Sequence, residues 1–220
     1  MTITLVFLAC LMGAILWWLF RQSVNVQPWV AQASAQDVHG AVLSRPSAKT
    51  GLWVFLAVVT SVFALFISAY ATRMHFGDWR PLQEPRLLTW NTGLLLVTSG
   101  AMQWTVVAAR RGEIDGVRHG LIAAGVLTFA FLAGQLLVWK QLNDAGAYLT
   151  SNPANAFFYL LTAVHGVHLL GGLVAWARTT TKAWRGSEVA RVRLSVELCA
   201  IYWHFLLVVW LVVFALLLST

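Results

Sequence analysis

Apolar runs of about twenty residues alternate with short polar stretches along the chain. Six such blocks occupy residues 3–20, 52–71, 88–109, 121–139, 157–177 and 198–218, and almost every charge falls between them. Each block approaches the length a helix needs to cross roughly 30 Å of hydrocarbon at about 1.5 Å per residue. None shows the period-2 alternation of a barrel strand, and only helices or closed barrels satisfy every backbone amide inside a bilayer. The pattern predicts an all-α fold, a polytopic membrane helix bundle with about six transmembrane helices. Residues 1–21 form an anchor helix, residues 22–49 a connector rich in Ala, Ser and Gln, and residues 50–220 a five-helix domain.

Composition agrees with this picture: 59% of the residues are hydrophobic and only 10% charged, where soluble domains carry about 25%. The net charge of +7 would suit nucleic acid if it formed one basic arm, but it is scattered through short loops. Its distribution reads as topology instead. Arg21, Arg45, Lys49, Arg110, Arg111, Arg118, Arg178, Lys182, Arg185, Arg191 and Arg193 follow the odd-numbered blocks, while only Arg73, Arg80, Arg86 and Lys140 follow the even ones. The positive-inside rule then places both termini outside the cytoplasm. Trp53, Trp79, Trp90, Trp139, Trp176, Trp184 and Trp203 stand near the proposed block ends, where an indole can keep its N–H wet. Block 3–20 reads as a retained anchor and not a cleaved leader, because no basic segment precedes it and the small-residue triplet Ala33-Ser34-Ala35 lies well past its end.

Cys10 and Cys199 are too far apart in sequence to suggest a disulfide framework or metal-ligand spacing. The chemical signal lies in polar residues within the last two blocks. At about 100° per residue, His165, His168 and Gly172 share one helix face. Glu197 and His204, seven positions apart, share another. Ionisable residues at membrane depth usually point into the bundle toward a partner, and glycine admits a neighbouring backbone, so these two faces are expected to pack together. Facing histidines on two membrane helices also describe a bis-histidine heme site or part of a metal centre. The plainer reading is that neutral imidazoles hydrogen-bond across a helix interface while Glu197 pairs with a loop arginine such as Arg193. Three imidazoles without nearby carboxylates or thiolates do not specify a metal, and both readings stand on the residues alone.

Two ordered stretches resemble a known family. Thr150-Ser151-Asn152-Pro153 followed by Phe157 through Gly172 is similar to the "SNP…FFYLLTGLHGLHVLGG" segment of subunit III of the heme-copper terminal oxidases. Glu197 followed by Tyr202-Trp203-His204-Phe205 and Val208-Val209-Trp210 is similar to its "E…YWHFVDVVW" helix. Weaker echoes at residues 51–57, 88–99 and 135–139 extend the resemblance over roughly residues 48 to 218.

The resemblance implies an accessory subunit of the bacterial plasma membrane that carries no heme or copper of its own. It would pack against subunits I and II, which hold heme and copper, bind phospholipid in its helix clefts and support proton uptake during dioxygen reduction. His165, His168, Gly172, Glu197, Tyr202, Trp203 and His204 would then be structural or interface residues. The family's carboxyl in the helix that opens on the Trp-x-Phe-Leu-Ala run falls at about Val59 here, and the acidic residue of "YWHFVDVVW" is replaced by Leu207, so the resemblance does not carry over a proton-related role for those carboxyls. An accessory protein of nitric oxide reductase and a heme-binding or transport membrane protein are the alternatives.

Overall fold

A computed structural model describes residues 44–81, 86–185 and 189–219; the apolar block at 3–20, Cys10 and most of the connector lie outside the described residues. The chain divides at Gly51–Leu52 into two units, and the packing below is that of the second. Five helices follow one another: α1 Ser44–Arg73, α2 Arg86–Arg111, α3 Ile114–Asp144, α4 Pro153–Trp184 and α5 Val189–Leu218. Each contains a span long and apolar enough to cross a membrane, and no strand occurs among the described residues. The helices outrun the apolar blocks by one or two polar turns, since backbone hydrogen bonding continues past the point where side chains become wet.

The helix ends follow from local chemistry. α2 and α3 each stop at a left-handed glycine, Gly112 at φ 79° and Gly146 at φ 78°. In both cases the next amide reaches back over the last turn, Glu113 N to Ala108 O at 3.0 Å and Ala147 N to Leu142 O at 2.9 Å. This is the Schellman arrangement, which satisfies carbonyls a helix end leaves free. The Ser-Asn-Pro run starts α4: Asn152 Oδ1 accepts from Ala154 N at 3.2 Å and Pro153 occupies the first turn, where no N–H is needed. The same Asn152 side chain exchanges hydrogen bonds with the backbone of Arg80, tying the α1–α2 loop to the α3–α4 loop. In the former loop Arg73 forks onto Asp78, and its guanidinium holds that exposed carboxyl below the ordinary carboxylate range.

The core is apolar and centred where α2, α3 and α5 meet, with Met102, Leu121, Leu206, Trp203 and Trp210 almost wholly buried. α2 and α3 run antiparallel in close contact: a Cβ at Gly120 would lie 2.2 Å from Thr105 Oγ1, so no side chain fits there. α1 is the least embedded helix. It buries one stripe, Leu56, Val59, Phe63 and Tyr70, and meets the others through rings. Phe63 lies 5.6 Å from His168, and Tyr70 packs edge-on against Trp79 and Phe157.

Candidate functional site

The three intramembrane histidines occupy three separate surroundings. His165 is fully buried, with its ring 5.0 Å from Trp210 and 6.0 Å from Phe131, and neither ring nitrogen has a hydrogen-bond partner among the described residues. His168 turns the other way, toward Phe55 and Phe63 of α1, with Nδ1 2.7 Å from the carbonyl of Val164 one turn back. His204 faces α2: Nδ1 is hydrogen-bonded to Ser99 Oγ, and Nε2 lies 3.2 Å from Gln103 Oε1. A neutral imidazole satisfies both contacts when Nε2–H donates to Gln103 and Ser99 donates to Nδ1.

Among the described residues no group of three or more His, Cys, Asp or Glu stands close enough together to hold a metal ion. Cys199 is buried and free, with Sγ 3.3 Å from Thr179 Oγ1.

The remaining residues of the two sequence stretches join α4 to α5. Gly172 lets α5 approach: a Cβ there would lie 2.7 Å from Tyr202 Cε1 and 3.2 Å from the Trp203 ring. The Tyr202 hydroxyl then donates to the carbonyl of His168 at 2.9 Å. Glu197, with 18% of its side chain exposed, receives Arg193 Nε at 3.1 Å on its own helix. It also has Arg110 Nε of α2 at 3.6 Å. The sequence suggested the first partner; the second needs the fold.

Trp203 differs from its expected place at a helix end. It is 1% exposed, midway along α5, and its indole N–H donates to Thr128 Oγ1 of α3 at 3.1 Å. Two further indoles do the same: Trp139 to Thr162 at 3.1 Å and Trp210 to Thr92 at 2.9 Å. Each threonine hydroxyl returns its own proton to a carbonyl one turn back. Trp176 instead reaches the Leu121 carbonyl at 2.8 Å. By contrast Trp90 and Trp184 are exposed near helix ends, and Trp53 is exposed where the apolar part of α1 begins.

Sequence alone assigns no hydrogen-bonding role to the acceptors in this set, Thr92, Thr128 and Thr162, or to Ser99 and Gln103, although Thr162 stands in the longer family-like stretch and Thr92 and Ser99 in the echo at 88–99. Asn91 and Gln135, hydrogen-bonded across α2 and α3 at 3.2 Å, entered only as part of weak echoes. Polarity inside an apolar block was the available signal, since such groups turn toward partners in membrane bundles.

An open groove of about 400 Å³ runs between α1 and the α4–α5 pair, with Leu52, Phe55, Gly171 and Tyr202 among its walls and Arg178 and Lys182 toward the far end of α4.

Residues 2–219 match the family model for cytochrome c oxidase subunit III. The probable cytochrome c oxidase subunit 3 of Nocardia farcinica is 29% identical over 193 residues, covering 83% of this chain and 92% of the relative. That of Mycobacterium leprae is 30% identical over 183 residues, covering 78% and 88%. The cytochrome c oxidase subunit 3 of Corynebacterium diphtheriae is 28% identical over 183 residues, covering 79% and 89%. The match takes in all five described helices, including those bearing the paired histidines and the Tyr-Trp-His run, and on that basis the chain belongs to the cytochrome c oxidase subunit III family.

Proposed function

We propose that the chain is an accessory subunit of a heme-copper respiratory oxidase that stabilises the catalytic subunit, holds phospholipid and supports proton uptake while dioxygen is reduced to water. Heme and copper belong to the partner subunits I and II in this reading. The observation that carries it is the family match from residue 2 to residue 219. The surroundings of His204 and Tyr202 support it, because both spend their polar atoms on helix packing, and His168 directs Nδ1 to its own helix.

The groove beside α1 supports the lipid part. Its walls are apolar enough for an acyl chain, and Arg178 and Lys182 offer two cations where a phosphate headgroup would stand. The positive-inside rule favours both termini on the periplasmic side, and a bacterial plasma membrane suits the bacterial sources of the similar proteins. That orientation puts Arg110, Arg118, Arg178, Lys182 and Arg193 on the cytoplasmic side, the side of anionic headgroups in the inner leaflet.

Purification from native membranes tests the reading. A tag on this chain should bring down subunits containing heme and copper together with cytochrome oxidase activity. Recovery with nitric oxide reductase, or a stoichiometric heme band in the isolated chain, would overturn it. For the groove, Arg178→Ala combined with Lys182→Ala should lower retained anionic phospholipid several-fold, each basic residue contributing about 1 kcal/mol near such headgroups. Unchanged lipid content in the purified complex would remove the groove from the proposal.

A further inference from the structure

The seam between α2 and α5 carries cross-links at heptad spacing. Glu197 meets Arg110, and seven residues on, His204 meets Gln103 seven residues back along α2. One heptad further, the same register brings Leu211 and Leu96 to this side of the bundle, and both are exposed. The seam therefore faces outward along its length.

The middle rung does not suit lipid. Gln103 is exposed, and at about 1.5 Å per residue it lies roughly 12 Å from Arg111, deep in the hydrocarbon. Its Oε1 is taken by His204, which leaves the amide NH2 without a partner among the described residues. Beside it Trp104 is 52% exposed, and its indole N–H likewise has no partner there. Thr60 and Ser61 are also exposed inside a span, but their hydroxyls return to carbonyls one turn back at 2.8 and 3.0 Å. A carboxamide and an indole cannot do that, and an unpaired donor in hydrocarbon is costly. One turn before Gln103, a Cβ at Gly100 would meet nothing within 4 Å, so a neighbouring backbone can come close.

We propose that this face, Gly100, Gln103 and Trp104 of α2 with His204 and Val208 of α5, docks a transmembrane helix of another subunit of the oxidase complex. That helix presents a hydrogen-bond acceptor, a carbonyl, hydroxyl or carboxylate oxygen, at the depth of Gln103. A second copy of this chain would have to satisfy the Trp104 indole as well as the Gln103 amide from the same face, whose one side-chain acceptor among these groups, Gln103 Oε1, already meets His204. Acyl chains offer no acceptor at all. The proposal rests on the oxidase-subunit reading and deepens it by naming the partner surface.

The test uses the native complex, captured through a tag on the catalytic subunit. A benzophenone side chain at position 104 should give a photo-adduct with another subunit, while one at position 136, exposed on α3, should not. Gln103→Leu should lower retention of this chain by about threefold to tenfold, the range for a lost interhelical hydrogen bond. Gly100→Trp should lower it further, and Leu136→Trp should leave it unchanged. Adducts at position 104 confined to lipid, to a second copy or to this chain itself would overturn the proposal, as would Gln103→Leu and Gly100→Trp both retained like wild type. Absence of the wild-type chain from the tagged complex would overturn the subunit reading itself, and the docking face with it.

Discussion

Trp203 and Thr128, 75 residues apart in sequence, are hydrogen-bonded at 3.1 Å in the buried contact between α5 and α3. The threonine hydroxyl serves twice, accepting from the indole and donating to Ala124 O at 2.7 Å. A threonine can spend its proton on its own helix and still offer a lone pair to a neighbour, so two apolar helices are joined without an unpaired group.

Thr128→Val keeps the shape and deletes the acceptor, leaving a buried indole N–H unpaired. That should destabilise the bundle by about 1–3 kcal/mol, read as a lower melting temperature of the detergent-solubilised complex. Thr128→Ser, which keeps the hydroxyl, should lose less. Equal melting temperatures for Val and wild type would show that the bond contributes nothing net.

Gly172→Ala places a methyl group 2.7 Å from the Tyr202 ring. Relief requires moving a ring that is anchored through its hydroxyl to His168 O. Overpacking of this kind typically costs about 1–3 kcal/mol, so the variant should melt earlier than wild type. Gly166→Ala, where a Cβ meets nothing within 4 Å, is the matched control and should not.

His204→Ala and His168→Ala should damage assembly or endurance more than the chemical step. Removing His204 strips partners from Ser99 and Gln103, a loss of about 1–3 kcal/mol, whereas loss of a catalytic base costs about 10²–10⁴-fold in rate. Oxygen-consumption traces of the purified complex separate the two. Initial rates should stay within a few-fold of wild type while active lifetime or retained subunit falls. A hundredfold slower initial rate in a fully assembled, durable complex would give these histidines a direct part in the chemistry.

Topology is open to reporter fusions. A reporter active only in the periplasm should work after Thr220 and within the loop at 145–152, and fail near Gly112. The opposite pattern would invert the orientation drawn from the loop arginines and lysines.

Much of the architecture was legible in the chain because bilayer crossing is a one-dimensional constraint. Apolar block length located five spans now seen as helices, and local chemistry at Asn152-Pro153, Gly112 and Gly146 explains where α4 begins and where α2 and α3 end. The pairing of Glu197 with Arg193 was likewise within reach, although Arg193 stands on α5 itself, four residues before Glu197, and not in the loop expected for it. Helical periodicity also grouped His165 with His168 and Glu197 with His204. It could not say which neighbour each side chain meets, because a face on one helix carries no information about the order of helices around the bundle. Packing decided that His204 turns to Ser99 and Gln103 of α2, that Arg110 joins Arg193 at Glu197, and that Trp203 lies at the bundle centre and not at a wet helix end. It also decided that α1 meets α4 and α5 through large rings, leaving beside them the groove that Arg178 and Lys182 overlook. These are relations between residues tens of positions apart, set when side-chain volumes and the few polar groups that hydrocarbon cannot solvate must be satisfied at once.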